Sequence, residues 1–101
     1  MRSTQNVALK LSNADLGQLY LAKQLLLDNM TNPPSIAKLS KELYLNPYKL
    51  KLGFKAVFGT TLYDYLRDKR VEKAQLLMKA TDLSINNIAL QVGYANSSSF
   101  I

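Results

Sequence analysis

One pattern of ten residues occurs twice in this chain of 101, and it leaves few folds open. Residues 36–45 read IAKLSKELYL, and residues 85–94 read INNIALQVGY. At an offset of 49, Ile36 pairs with Ile85, Leu39 with Ile88, Ser40 with Ala89, Leu43 with Val92 and Leu45 with Tyr94. Apolar residues three and four apart line one face of a helix, so each copy predicts a short amphipathic helix. The small residue inside each copy, Ser40 or Ala89, suits a place where two helices cross closely. One extra residue in the second turn moves the offset to 50, which matches Asn46 with Asn96 and Leu50 with Phe100. Each copy thus ends in a tight turn and a polar cap that opens another helix. Helix, tight turn and capped helix with a free outer face make a helix-turn-helix unit, and a pair of them is far more specific than one.

The rest of the chain reads as helix too. Proline occurs only at Pro33, Pro34 and Pro47, and no window alternates at period two. Leu16, Leu19, Tyr20, Ala22, Leu26 and Leu27 place a first helix from Ala14 to about Met30, stopped by Asn29 to Pro34. Ser35 caps a second helix, and Asn46 with Pro47 starts a third that Gly59 closes. Thr60 and Thr61 open the longest helix, to about Ala80, whose apolar arc holds Leu62, Leu66, Ala74 and Leu77. Ser84 caps a fifth, ended by Gly93, and Asn96 offers the cap of a sixth. The expected fold class is all-α: two helix-turn-helix units joined by a long linker helix, a homeodomain-like pair with the second unit incomplete. In segments, residues 1–13 read as a linker or tail, 14–60 as the first unit, 61–80 as the linker helix and 81–101 as the truncated second unit. Residues after about Leu83 are expected to fray for want of a closing helix.

Thirteen Lys and Arg against seven Asp and Glu give a net charge of +6, which suits a polyanionic partner. The chain has no Cys and no His. Disulfides, cysteine nucleophiles, the usual zinc ligand sets and imidazole acid–base catalysis are therefore excluded, so neither an enzyme nor a cofactor is expected. No segment approaches the roughly 20 apolar residues of a membrane span, and a cytoplasmic protein is the plain expectation.

The stretches LSKELYLNPYKLKLGFKAVFGTTLYDYL, RVEKAQLLM and INNIALQVGYANSSSF resemble the DNA-binding domain of the AraC/XylS (arabinose-regulator) family of bacterial transcription factors. The resemblance covers roughly residues 15 to 101. It implies binding to double-stranded promoter DNA, contact with RNA polymerase, and control by an effector-binding domain elsewhere on the parent chain, from which residues 1–13 would be the linker. Two departures stand out. Tyr44 occupies the place where the family usually has a turn glycine, at a cost of about 1 kcal/mol or a different turn geometry. The family's pattern also continues past Phe100, through the rest of a recognition helix and a closing helix.

Between Asn46 and Gly59 the third helix carries lysines and no acid. With Leu50, Phe54 and Phe58 inward, the remaining arc puts Tyr48, Lys51 and Leu52 toward base edges, the positions that the resemblance also picks out. Asn46, Lys49 and Lys55 fall nearer the phosphates. In the second unit Ser97 and Ser98 take the family's base-facing positions, but Asp82 is the one charged residue from Thr81 to Ile101, so this half is expected to bind weakly. Gly53 reads as a close contact with a neighbouring helix ahead of a close approach to the DNA backbone, and Arg70, on the apolar arc of the linker helix, as a structural ion pair or a snorkelled side chain ahead of a phosphate contact. Asp64, Asp68 and Glu72 read as a solvated face beside Arg67 and Lys69, and Tyr20, Tyr63 and Tyr65 as core. The competing function is a basic helical interaction module that binds RNA or an acidic protein.

Overall fold

The computed structural model describes residues 10–95, which form five helices: α1 (Asn13–Asp28), α2 (Ile36–Leu43), α3 (Pro47–Phe58), α4 (Leu62–Ala80) and α5 (Ile85–Val92). Every one of them opens on a short polar side chain that accepts a hydrogen bond from the backbone N–H three residues on. Ser12, Ser35, Asn46, Thr61 and Ser84 play this part, and each such cap is worth about 1 kcal/mol. Left-handed residues end three of the helices: Tyr44 at φ 56°, Gly59 at φ 76° and Gly93 at φ 110°.

Residues 11 to 13, expected to belong to a tail, are part of the first unit. Ser12 and Asp15 form a reciprocal capping box, and Leu11 packs against the core. That core is made by Leu19, Ala22 and Leu26 of α1, Leu39 and Leu43 of α2, Leu45 in the turn, Leu50 and Phe54 of α3, and Leu62 at the start of α4. Gly53 is buried because α1 presses on α3 there: a Cβ at Gly53 would stand 3.0 Å from a methyl of Leu19. The aromatic side chains divide. Tyr65 packs edge-on against Phe54, whereas Tyr20 is 56% and Tyr63 67% exposed, so these two correct the expectation of core packing. Tyr20 still meets Phe58 edge to face, with Lys23 Nζ 4.7 Å from the Phe58 ring centre. Tyr63 lies in the first turn of α4 beside the buried Leu62, with its own ring turned outward.

A second, smaller core joins Ala74 of α4 to Ile88 and Val92 of α5, flanked by Leu77, Leu83 and Tyr94. As far as residue 95 the expectation of fraying after Leu83 is corrected: α5 is formed, capped at both ends, and buries Ile88, Ala89 and Val92 with α4 as its cover, while Asn96 and the expected sixth helix lie outside the described residues. Among the described helices α5 packs on α4 alone, while α4 also packs on α1 and α3.

Arg70, in the middle of α4, ties the two parts together. Its Nε and Nη2 donate to the carbonyl oxygen of Met30, just past the end of α1, at 3.0 and 2.7 Å. The same guanidinium carbon lies 5.0 Å from the centre of the Tyr94 ring. An arginine on this arc needs a partner, and it finds a main-chain carbonyl and an aromatic face where a carboxylate was one of the options. The acids of α4 turn outward as expected, with Asp64 and Asp68 on Arg67 and Glu72 on Lys69.

Candidate nucleic-acid interface

The geometry of α3 follows from its two ends and its buried stripe. Asn46 Oδ1 accepts from the Lys49 N–H at 2.7 Å, Pro47 fills the first turn where an N–H has no partner, and Gly59 stops the helix. Leu50, Gly53 and Phe54 are buried. The opposite side must therefore face outward, and Tyr48, Lys51, Leu52 and Lys55 are all exposed there. Their spacing of three, four and seven makes one stripe, about 10 Å long at 1.5 Å per residue. No acid interrupts it. Beside the stripe, Ile36, Thr61, Leu62 and Tyr63 join Lys51 around an open cavity of about 270 Å³.

The candidate residues do not all behave alike. Tyr48, at 55% exposure, and Leu52, at 38%, hold apolar surface that no described residue folds over. Lys51 and Lys55 extend from the same face. Lys49 differs, because its ammonium sits 3.0 Å from Asp15 Oδ2 and is half-buried. The same carboxylate oxygen accepts from the Ser12 N–H at 3.0 Å. These partners hold Asp15 below the usual carboxylate range, the Ser12 N–H foremost and then the Lys49 ammonium. Lys49 is thus engaged by α1, and Asn46 by its own helix as a cap. Asp15 is the member of this group that sequence reading missed. The S-x-x-D spacing of residues 12–15 marks it as a capping acid, but its link to a lysine 34 residues away is made only by the packing of α1 on α3. Ser97 and Ser98 lie outside the described residues.

Electrostatically the stripe belongs to the basic part of the chain. Residues 1–60 carry eight Lys and Arg against three Asp and Glu, while residues 81–101 carry only Asp82. A rod about 10–12 Å across with side chains, basic along its free side and apolar in its middle, matches the width of a DNA major groove. Among the described residues no group of His, Cys, Asp and Glu is placed to hold a metal ion, and no helix is long and apolar enough to cross a membrane.

The sequence pattern of the family described as "Helix-turn-helix domain" matches residues 39–101. Regulatory protein PchR of Pseudomonas aeruginosa is 29% identical over 69 residues, which are 68% of this chain and 23% of that protein. The chain therefore spans about a quarter of the length of that relative. An AraC-type transcriptional regulator from Chromobacterium violaceum superposes with a TM-score of 0.76 at 25% identity, over 88% of this chain and 80% of that one. The DNA-binding domain of the global transcriptional factor AdpA, solved in complex with a target DNA, superposes with a TM-score of 0.74 at 19% identity, over 82% of this chain and 75% of that one, a likeness of fold. With its two repeated helix-turn-helix copies, its long linker helix and the family pattern over residues 39–101, the chain belongs to the AraC/XylS-type helix-turn-helix family of DNA-binding domains.

Proposed function

We propose that α3 is the reading helix of the first unit and that the parent protein regulates transcription by placing it in the major groove of promoter DNA. The observation that carries this is the acid-free stripe of Tyr48, Lys51, Leu52 and Lys55 on a helix whose other side is fully committed to the core. Lys51 is suited to donate to guanine acceptors, Leu52 to meet a thymine methyl, and Tyr48 to meet base edges at the N-terminal end of the helix. Lys55 takes a phosphate, as does the Asn46 amide, and Lys49 does so by exchanging Asp15 for DNA. In the second unit Ser97 and Ser98 take the corresponding base-facing places. The AdpA domain, which shares the fold, was solved on DNA, and this supports the same use of the fold here. RNA polymerase contact and an effector-binding domain on the parent chain complete the reading, which rests for those two on family resemblance.

The test is a titration against a randomised DNA pool at two salt concentrations, with sequencing of the retained strands. The expected result is an enriched motif. Lys51→Ala should relax it at one position, with a loss of about 1–3 kcal/mol of discrimination. Lys55→Ala should weaken all sequences alike and lower the salt slope by about 1. Binding that fades with salt and enriches no motif would overturn the reading.

A further inference from the structure

We propose that Arg70 is a positioning residue that fixes the mutual orientation of the two helix-turn-helix units, and thereby the separation of DNA segments that the domain accepts as one site. The second half of this statement rests on the DNA reading above; the first half stands on the fold alone.

Among the described helices α5 has no neighbour but α4, so a single helix carries the described part of the second unit. A lone helix bends and twists, and units joined by one would swing. Arg70 supplies the cross-strut. It is half-buried near the middle of α4 and donates twice to the Met30 carbonyl, at 3.0 and 2.7 Å. The Met30 carbonyl lies two residues past the last residue of α1, close to the end whose unpaired carbonyls favour a cation. From the second unit, the Tyr94 ring lies 5.0 Å from the guanidinium carbon, a cation–π distance. Gly93 closes the node: a Cβ there would fall 2.8 Å from both Arg70 Nη2 and the Met30 oxygen. Three segments that are distant in sequence thus converge on one guanidinium, the overhang of α1, the centre of α4 and the end of α5. Only a planar fork serves them all, since a lysine ammonium offers a point charge and no flat face for the ring. None of this node lies on the exposed stripe of α3, so Arg70 acts on DNA choice through geometry.

The absence of native cysteine allows a direct measurement on the full chain. Ala37→Cys on α2 and Gln91→Cys on α5, both at exposed positions, take a pair of nitroxide labels. Pulsed dipolar spectroscopy should give one narrow distance with Arg70 present. Arg70→Met, which keeps the aliphatic stem, should broaden or split it, and Arg70→Lys should fall between. Hydrogen exchange run in parallel should show α3 and α5 still protected in both variants. On the sequence enriched from the pool, base pairs inserted between the two contacted segments should cost the labelled parent about tenfold or more, the advantage of linked binding. The same insertions should cost Arg70→Met little, while its affinity for a duplex carrying one segment stays at the parent's. An unchanged distance in Arg70→Met with both helices protected would overturn the proposal, and so would unchanged sensitivity to spacing. Failure of the DNA reading looks different: the parent itself would enrich no sequence, and the distances alone would then judge the strut.

Discussion

In the first unit three helices and the start of a fourth bury a continuous core from Leu19 to Leu62; in the second, α5 lays Ile88 and Val92 against Ala74 of a helix that the first unit already holds in place. Two positions of the internal repeat show how differently the same plan is used. Where the first copy has Tyr44 in its turn, 92% exposed and touching little, the second has Gly93, hemmed in by Arg70 and Met30. Where the first has Ser40, whose buried Oγ has no hydrogen-bond partner among the described residues, the second has Ala89. The first unit is stable enough through its core to carry a strained turn and an unsatisfied hydroxyl. Among the described residues the second has little core, and its turn is given over to attachment.

The largest test of this contrast is a pair of core truncations. Phe54→Ala should cost about 3–5 kcal/mol and abolish protection in α2, α3 and α5 together, because α4 loses its anchor. Ile88→Ala should cost about 2–5 kcal/mol of the second unit's stability and expose α5 alone. Hydrogen exchange by mass spectrometry separates the two, and equal loss in both units under Ile88→Ala would end the idea of one unit leaning on the other. Next in size is Gly93→Ala, expected to cost about 1–3 kcal/mol by backbone strain alone, with a further penalty from the crowded node. Its mirror image in the first copy is Tyr44→Gly, which should stabilise by about 0.5–1 kcal/mol as the left-handed strain is relieved and glycine's extra chain entropy is charged against it. Opposite signs in urea melts would bear out the comparison of the turns; the same sign would break it. Ser40→Ala, which writes the second copy's residue into the first, should gain up to about 1 kcal/mol by removing a buried unpaired hydroxyl. The smallest effect concerns pH. Asp15 binds its proton less readily when folded, so its contribution is complete above the ordinary value of 3.8 and is lost as pH falls through the lower folded value. Asp15→Asn should flatten that acid limb in thermal melts, and an unaltered limb would show that the α1–α3 ion pair adds nothing.

Much of the fold could be read beforehand because it is written locally. Ser35, Asn46, Thr61 and Ser84 announce helix starts within three residues, and the glycines 59 and 93 announce ends. Leu50 and Phe54 on α3 likewise imply which residues are left outside. What escaped was tertiary. Nothing periodic joins Lys49 to Asp15, or Arg70 to a carbonyl 40 residues away, since each depends on where two whole helices come to rest. The exposure of Tyr63 escaped for a related reason: aromatic character argues for burial, and only the packing of α4, which turns Leu62 into the core and leaves Tyr63 beside it 67% exposed, decides against it.

The acceptor of the Arg70 strut is main chain, and every amino acid supplies one at position 30. Mutation there can change the side chain freely without touching the strut, whereas Arg70 and Gly93 have no such latitude. Length is another matter. A single residue inserted into or deleted from the segment 29–34 would move the carbonyl away from the fork. The joint between the units thus tolerates changes of spelling on one side and none of count, and relatives that vary this loop in length would have to hold their two units at a different angle.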